Sequence, residues 1–141
     1  MKKTFLTLLP AFLISLHSFA QSTSKRIEAE NFNASHIATT KEGDKGIIVN
    51  KFSKNAWIRF DNLDFGEGTE QIKFRIGGGS PDASLEIRVG DQKGKVIATF
   101  KLETTNWRLS EQIVQIPKLT GKQTITLVAP ANGILLNWFE Y

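Results

Sequence analysis

Apolar and polar residues alternate with a period of two through most of this 141-residue chain, a pattern that fits half-buried strands and little else. Ile72, Phe74 and Ile76 alternate with Lys73 and Arg75, and Leu85, Ile87 and Val89 alternate with Glu86 and Arg88. Val96, Ala98, Phe100 and Leu102 keep the rhythm, and Thr124-Ile125-Thr126-Leu127 repeats it. Each run presents one apolar face. Turn signals separate the runs: Gly66-Glu67-Gly68, Gly77-Gly78-Gly79-Ser80-Pro81-Asp82, Gly90-Asp91, Lys93-Gly94-Lys95 and Asn132-Gly133. Beyond the first twenty residues no stretch carries a helical period for three turns. Short strands at close spacing with no helices between them predict an all-β fold, an antiparallel β-sandwich or barrel.

The first twenty residues follow other rules. Lys2 and Lys3 precede an apolar run from Phe5 to Leu16, and Ser18-Phe19-Ala20 ends it with small residues flanking one large one. This is the pattern of a secretory signal peptide over residues 1–20, cut after Ala20. Its apolar run is shorter than the about 20 residues that a membrane span needs, so no membrane span is expected. Residues 21–25 read as a short lead and 26–141 as one domain, with no linker that divides off a second. The expected location is outside the cytoplasm: periplasm, cell surface or medium. A disulfide framework is excluded, because the chain has no Cys.

Charge and chemistry narrow the function by elimination. Without residues 1–20 the basic side chains fall from 18 to 16 against 14 acidic ones, and they are scattered among carboxylates. A nucleic-acid binder would mass its cations on one face, so no nucleic-acid partner is expected. Of the two His, His17 lies in the leader, and His36 alone cannot build an imidazole zinc site. Ser35 is its sequence neighbour rather than a partner converging from elsewhere in the fold. Gly77-Gly78-Gly79 leads into Ser80-Pro81 and not into a helix, which fits a turn better than a phosphate-binding loop.

Glu28 and Glu30 in Ile27-Glu28-Ala29-Glu30 would share one side of a strand. Three readings are open: a solvated face, an acid/base pair, or a site for a hard cation. Side chains at i and i+2 stand roughly 6 to 7 Å apart and point the same way, whereas glycosidase carboxylates flank a bond from opposite sides. That spacing suits clamping a cation more than cleaving a sugar, and calcium accepts irregular sets of six to eight oxygens.

Three segments carry a resemblance. Ile27-Glu28-Ala29-Glu30-Asn31-Phe32, then Ala56-Trp57-Ile58-Arg59-Phe60-Asp61-Asn62-Leu63-Asp64-Phe65-Gly66, and finally Leu136-Asn137-Trp138-Phe139-Glu140-Tyr141 resemble family 6 carbohydrate-binding modules in order and spacing. The likeness runs from Arg26 to Tyr141. It implies a β-jelly roll that binds a polysaccharide or oligosaccharide without cleaving it, acting as a monomer beside a separate glycan-degrading enzyme. It also implies a structural calcium held by Glu28, Glu30 and Asn137. The loop tryptophan that stacks on sugar would be Trp107. The second aromatic of the family is replaced by Lys51, next to Phe52, and the amide that fixes sugar hydroxyls is replaced by Leu135, leaving Asn132 or Asn50 as substitutes. Trp57 beside Arg59 would offer a second surface on a sheet face. The alternative is a structural or protein-protein interaction jelly roll whose sugar cleft has decayed.

Overall fold

The computed structural model describes residues 24–141. The expected leader and the lead up to residue 23 lie outside the described residues. The strands are β1 (Arg26–Glu28), β2 (Ala34–His36), β3 (Thr39–Gly43), β4 (Gly46–Phe52), β5 (Trp57–Asp64) and β6 (Thr69–Gly78). After these come β7 (Ser84–Val89), β8 (Lys95–Lys101), β9 (Ser110–Leu119), β10 (Lys122–Val128) and β11 (Ile134–Glu140). They form two antiparallel sheets, as the alternation predicts. One runs β3-β4-β11-β6-β9, with β1 also paired to β11, and the other runs β2-β5-β10-β7-β8. Neighbours in each sheet are mostly distant in sequence, which is the crossing pattern of a jelly roll.

The facing sides of the sheets form the core. Ile72, Phe74 and Ile76 of β6 are buried there, opposite Ile58 and Phe60 of β5, Leu85 and Ile87 of β7, and Ile125 and Leu127 of β10. Phe139 touches Phe60 edge-on at 5.0 Å and lies 5.8 Å from Phe74, so the closing strand supplies the aromatic centre of the core. Thr126 is the buried polar exception in β10, and its hydroxyl donates to the Gly90 carbonyl at 2.6 Å.

The alternation fails in β8. The alternation places Val96 inward, but it is exposed and Ile97 packs against the core instead. The register between β7 and β8 shifts at this point, Ile87 facing Ala98 while Arg88 faces Val96, so Ile97 is an inserted residue that reverses the faces before it. Pro117 lies in β9, an edge strand, where a missing N–H costs no ladder bond on the open side.

Both ends of the domain meet on one strand. Lys25 and Tyr141 exchange backbone hydrogen bonds at 2.9 and 3.2 Å, extending the β1–β11 pairing into the lead. Glu140 pairs with Arg26 of β1 and, at 2.9 Å, with Lys73 of β6. The Arg26 guanidinium lies 4.0 Å over the Trp138 ring, so Trp138 is covered by its neighbours and is only 4% exposed.

Candidate functional site

At one end of the sandwich the loop after β8 folds back over the end of β6. Three consecutive glycines make this possible. A Cβ on Gly77 would lie 2.7 Å from the Arg108 carbonyl, and one on Gly78 would lie 2.8 Å from the Glu103 carbonyl. Gly77 and Gly78 are strand residues, so this run is not the turn expected from the sequence; the turn follows it at Ser80–Ala83. The glycines are a bed on which another loop rests backbone to backbone.

That loop is Thr105-Asn106-Trp107-Arg108. The Arg108 N–H donates to the Thr105 carbonyl at 3.1 Å, closing a four-residue turn whose two central residues have positive φ, 49° for Asn106 and 66° for Trp107. Positive φ at both centres is the signature of a type I′ turn, which Asn tolerates and a bulky side chain resists. The Thr105 and Trp107 N–H groups donate to the Gly78 carbonyl at 3.0 and 3.4 Å and tie the turn down. The indole lies over Gly79, where a Cβ would stand 2.0 Å from its Cε2 atom, and the residue is still 52% exposed. A large apolar ring is thus held at the surface in a backbone conformation that costs about 1 to 3 kcal/mol, an arrangement that core packing does not explain.

Trp107 lines a cleft of about 230 Å³ with Lys51, Phe52, Ser53, Asn132, Gly133, Ile134 and Leu135. Four of the expected sugar-binding residues, Trp107, Lys51, Phe52 and Asn132, are therefore brought together. Lys51 is exposed and has a φ of 50°, whereas Phe52 is buried and forms floor rather than platform. The Asn132 side-chain oxygen accepts the Lys54 N–H at 2.8 Å, so this amide shapes the loop wall. Asn50 accepts the Thr39 hydroxyl at 2.7 Å and is not among the lining residues. Among the described residues no carboxylate or imidazole lines the cleft.

A family model described as carbohydrate binding module (family 6) matches residues 28–141. The chain belongs to that family. Among similar solved structures is a family 6 module from Clostridium cellulolyticum in complex with xylose, at 25% identity and a TM-score of 0.76, covering 82% of this chain and 94% of that one. A module from Clostridium stercorarium in complex with cellobiose shares 20% identity with a TM-score of 0.74, covering 82% and 90%. A β-1,3-glucan-binding module from Bacillus halodurans shares 20% identity with a TM-score of 0.74, covering 82% and 92%.

Trp57 does not join the cleft of this family 6 module. It stands on the outer face of the other sheet, opposite the buried Ile58 and Phe60, with its ring stacked on His36 at 6.3 Å. Arg59 on the same face pairs with Asp61 at 2.9 Å.

The acidic opening motif also departs from expectation. β1 ends at Glu28, and Ala29–Asn31 form a single 3₁₀ turn, so Glu28 and Glu30 do not share the face of one strand. The reason is Ala29, which is fully buried and turns the chain inward. The turn packs on β4 and β11. Glu30 Oε2 is buried without a hydrogen-bond partner. Asn137 is 2% exposed; its amide oxygen accepts from Arg75 Nη1 at 3.0 Å, and its Nδ2 donates to the Ile47 carbonyl at 3.0 Å.

Ser53 and Gly133 as cleft walls, and the glycine run as the bed of the tryptophan turn, are not evident from the sequence pattern. Three successive glycines at a strand end were the available signal.

Proposed function

We propose that this chain is a non-catalytic module that binds a polysaccharide or oligosaccharide in the Trp107 cleft. The observation that carries the reading is the exposed indole fixed on Gly79 by a strained, hydrogen-bonded turn. A flat apolar face suits the C–H side of a sugar ring and leaves the hydroxyls wet, and a platform immobilised in advance loses little entropy on binding. Among the described residues the lining holds no pair of carboxylates of the kind that flanks a glycosidic bond in glycosidases, which supports binding over cleavage. Relatives solved with xylose and cellobiose support the ligand class. The leader-like segment 1–20 supports export, and a separate glycan-degrading enzyme is the natural partner for a module that binds without cutting.

Calcium belongs to the same proposal. A buried carboxylate oxygen with no donor is costly unless a cation faces it, and Glu30 Oε2 is in that state. Glu28, Glu30 and the Asn137 side-chain oxygen would hold the ion, hard oxygen donors of the kind calcium takes. Bound there, it supplies positive charge that ties the opening turn to the closing strand. The Asn137 oxygen has two lone pairs, so it can face the ion and keep its hydrogen bond from Arg75.

Screening the purified protein against xylans, cellodextrins, β-1,3-glucans and algal polysaccharides tests the reading. Binding to at least one class with a dissociation constant between about 1 mM and 1 μM is expected. Absence of binding to every glycan would favour a jelly roll that serves protein contacts after decay of its cleft.

A further inference from the structure

The Trp107 cleft does not end at Trp107. Trp107 and Leu135 also line a second groove of about 490 Å³ that continues across the outer face of the β4-β11-β6 sheet. One wall of this groove is the β3–β4 hairpin, Lys41 to Lys45, which reverses through Asp44 and Lys45 between paired Gly43 and Gly46. The other holds Arg75 and the Arg108-Leu109 segment, with Ile48 and Leu135 also in the lining.

Four cations border this apolar floor: Lys41, Lys45, Arg75 and Arg108. Among the described residues none of them lies within 4.0 Å of a carboxylate, although Glu42 and Asp44 stand on the hairpin and leave the groove with a surplus of two positive charges. The other arginines of the described domain are paired: Arg26 with Glu140, Arg59 with Asp61 and Arg88 with Glu86. Arg75 is held by the Asn137 amide through a single Nη1 bond, which fixes its guanidinium and leaves its other donors uncommitted. Lys51 adds a further cation on the far side of the tryptophan.

We infer that the module is specific for acidic glycans, with a sugar unit on Trp107 and the carboxylate or sulfate of a neighbouring unit held by Arg108 and Arg75 in the adjoining groove. This rests on the reading of Trp107 as the sugar platform. An apolar floor with forked cationic donors at its rim matches a chain that has C–H faces and anionic substituents, and guanidinium pairs with either anion in bidentate fashion. Leu135 fits the same picture. It lies at the junction of the two hollows, offering a neutral sugar no hydrogen bond but giving a chain a smooth apolar passage between them.

Isothermal titration with matched polymers tests the inference. Polygalacturonate and alginate supply carboxylates, κ-carrageenan supplies sulfate, and agarose and xylan are neutral. The wild-type protein is expected to bind one acidic polymer on the order of tenfold or more tighter than the neutral ones, and Arg108→Gln is expected to remove that preference. Lys95→Gln removes the same charge from the distant β8 and should change nothing. Which acidic polymer wins distinguishes carboxylate from sulfate. Neutral binding that depends on Trp107 with no acidic preference would overturn the inference and leave the cleft intact. Acidic binding that survives Trp107→Ala would overturn the continuity of the two hollows, and loss of all glycan binding would overturn both readings. Equal affinity for a single-stranded oligonucleotide, or an equal effect of Lys95→Gln, would reduce the preference to general attraction between opposite charges.

Discussion

The indole of Trp107 rests directly on Gly79, so closely that a methyl group there would stand 2.0 Å from Cε2. No rotamer of an alanine side chain can avoid that ring, so Gly79→Ala should lift the tryptophan from its bed. Trp107 is half exposed and its displacement costs the core little. The expected result is at least a tenfold loss of glycan affinity by titration with a melting temperature within a few degrees of wild type. A matched Gly121→Ala variant, at a turn with open space and φ of 63°, should lose some stability but no affinity.

Glu140 ties the first strand to the last. Its hydrogen bond with Lys73 and its pairing with Arg26 hold its pKa below the ordinary glutamate value, against the opposing effect of burial. A depressed carboxylate contributes stability above its unfolded pKa and loses it as the folded carboxyl is protonated. The melting temperature should therefore fall as the pH drops below about 4.3, and Glu140→Gln should start lower at neutral pH and flatten that acid limb. Melting curves across the acid range decide it.

How far the sequence spoke for itself depended on the range of the interaction. Ile72, Phe74 and Ile76 were legible because each strand position depends on its own polarity, and the same rule put Ile58 and Phe60 inward. Ile97 was not, since a bulge arises from the register between two strands rather than from either alone. Ala29 bends the opening motif because it is buried where the 3₁₀ turn packs on β4 and β11, a fact of tertiary packing. The positive φ of Trp107 could not be anticipated from a residue type that avoids it, and Arg75 and Arg108 line one groove only once the loop after β8 folds over the end of β6.

Calcium should stabilise the domain. At about 100 times the dissociation constant, linkage adds roughly 2.7 kcal/mol, or near 10 °C for a domain of this size. Scanning calorimetry with calcium and with chelator should show that difference in the wild type, and Glu30→Ala should abolish most of it. Identical curves with chelator, together with no bound ion by elemental analysis, would leave Glu30 Oε2 as an uncompensated oxygen and remove calcium from the account.

A tryptophan that serves the core and one that serves a ligand respond oppositely to truncation. A buried ring lost to alanine costs about 3 to 5 kcal/mol, whereas Trp107 is half exposed on the surface and its truncation should be nearly neutral. The decisive measurement is calorimetric titration of the best glycan from the screen into wild type and Trp107→Ala, each with its melting curve. Binding by the wild type, none detectable in the variant, and a melting temperature changed by only a few degrees is the predicted result. Undiminished affinity, or a variant that loses its binding only because it no longer folds, would contradict the assignment of Trp107 as the sugar platform.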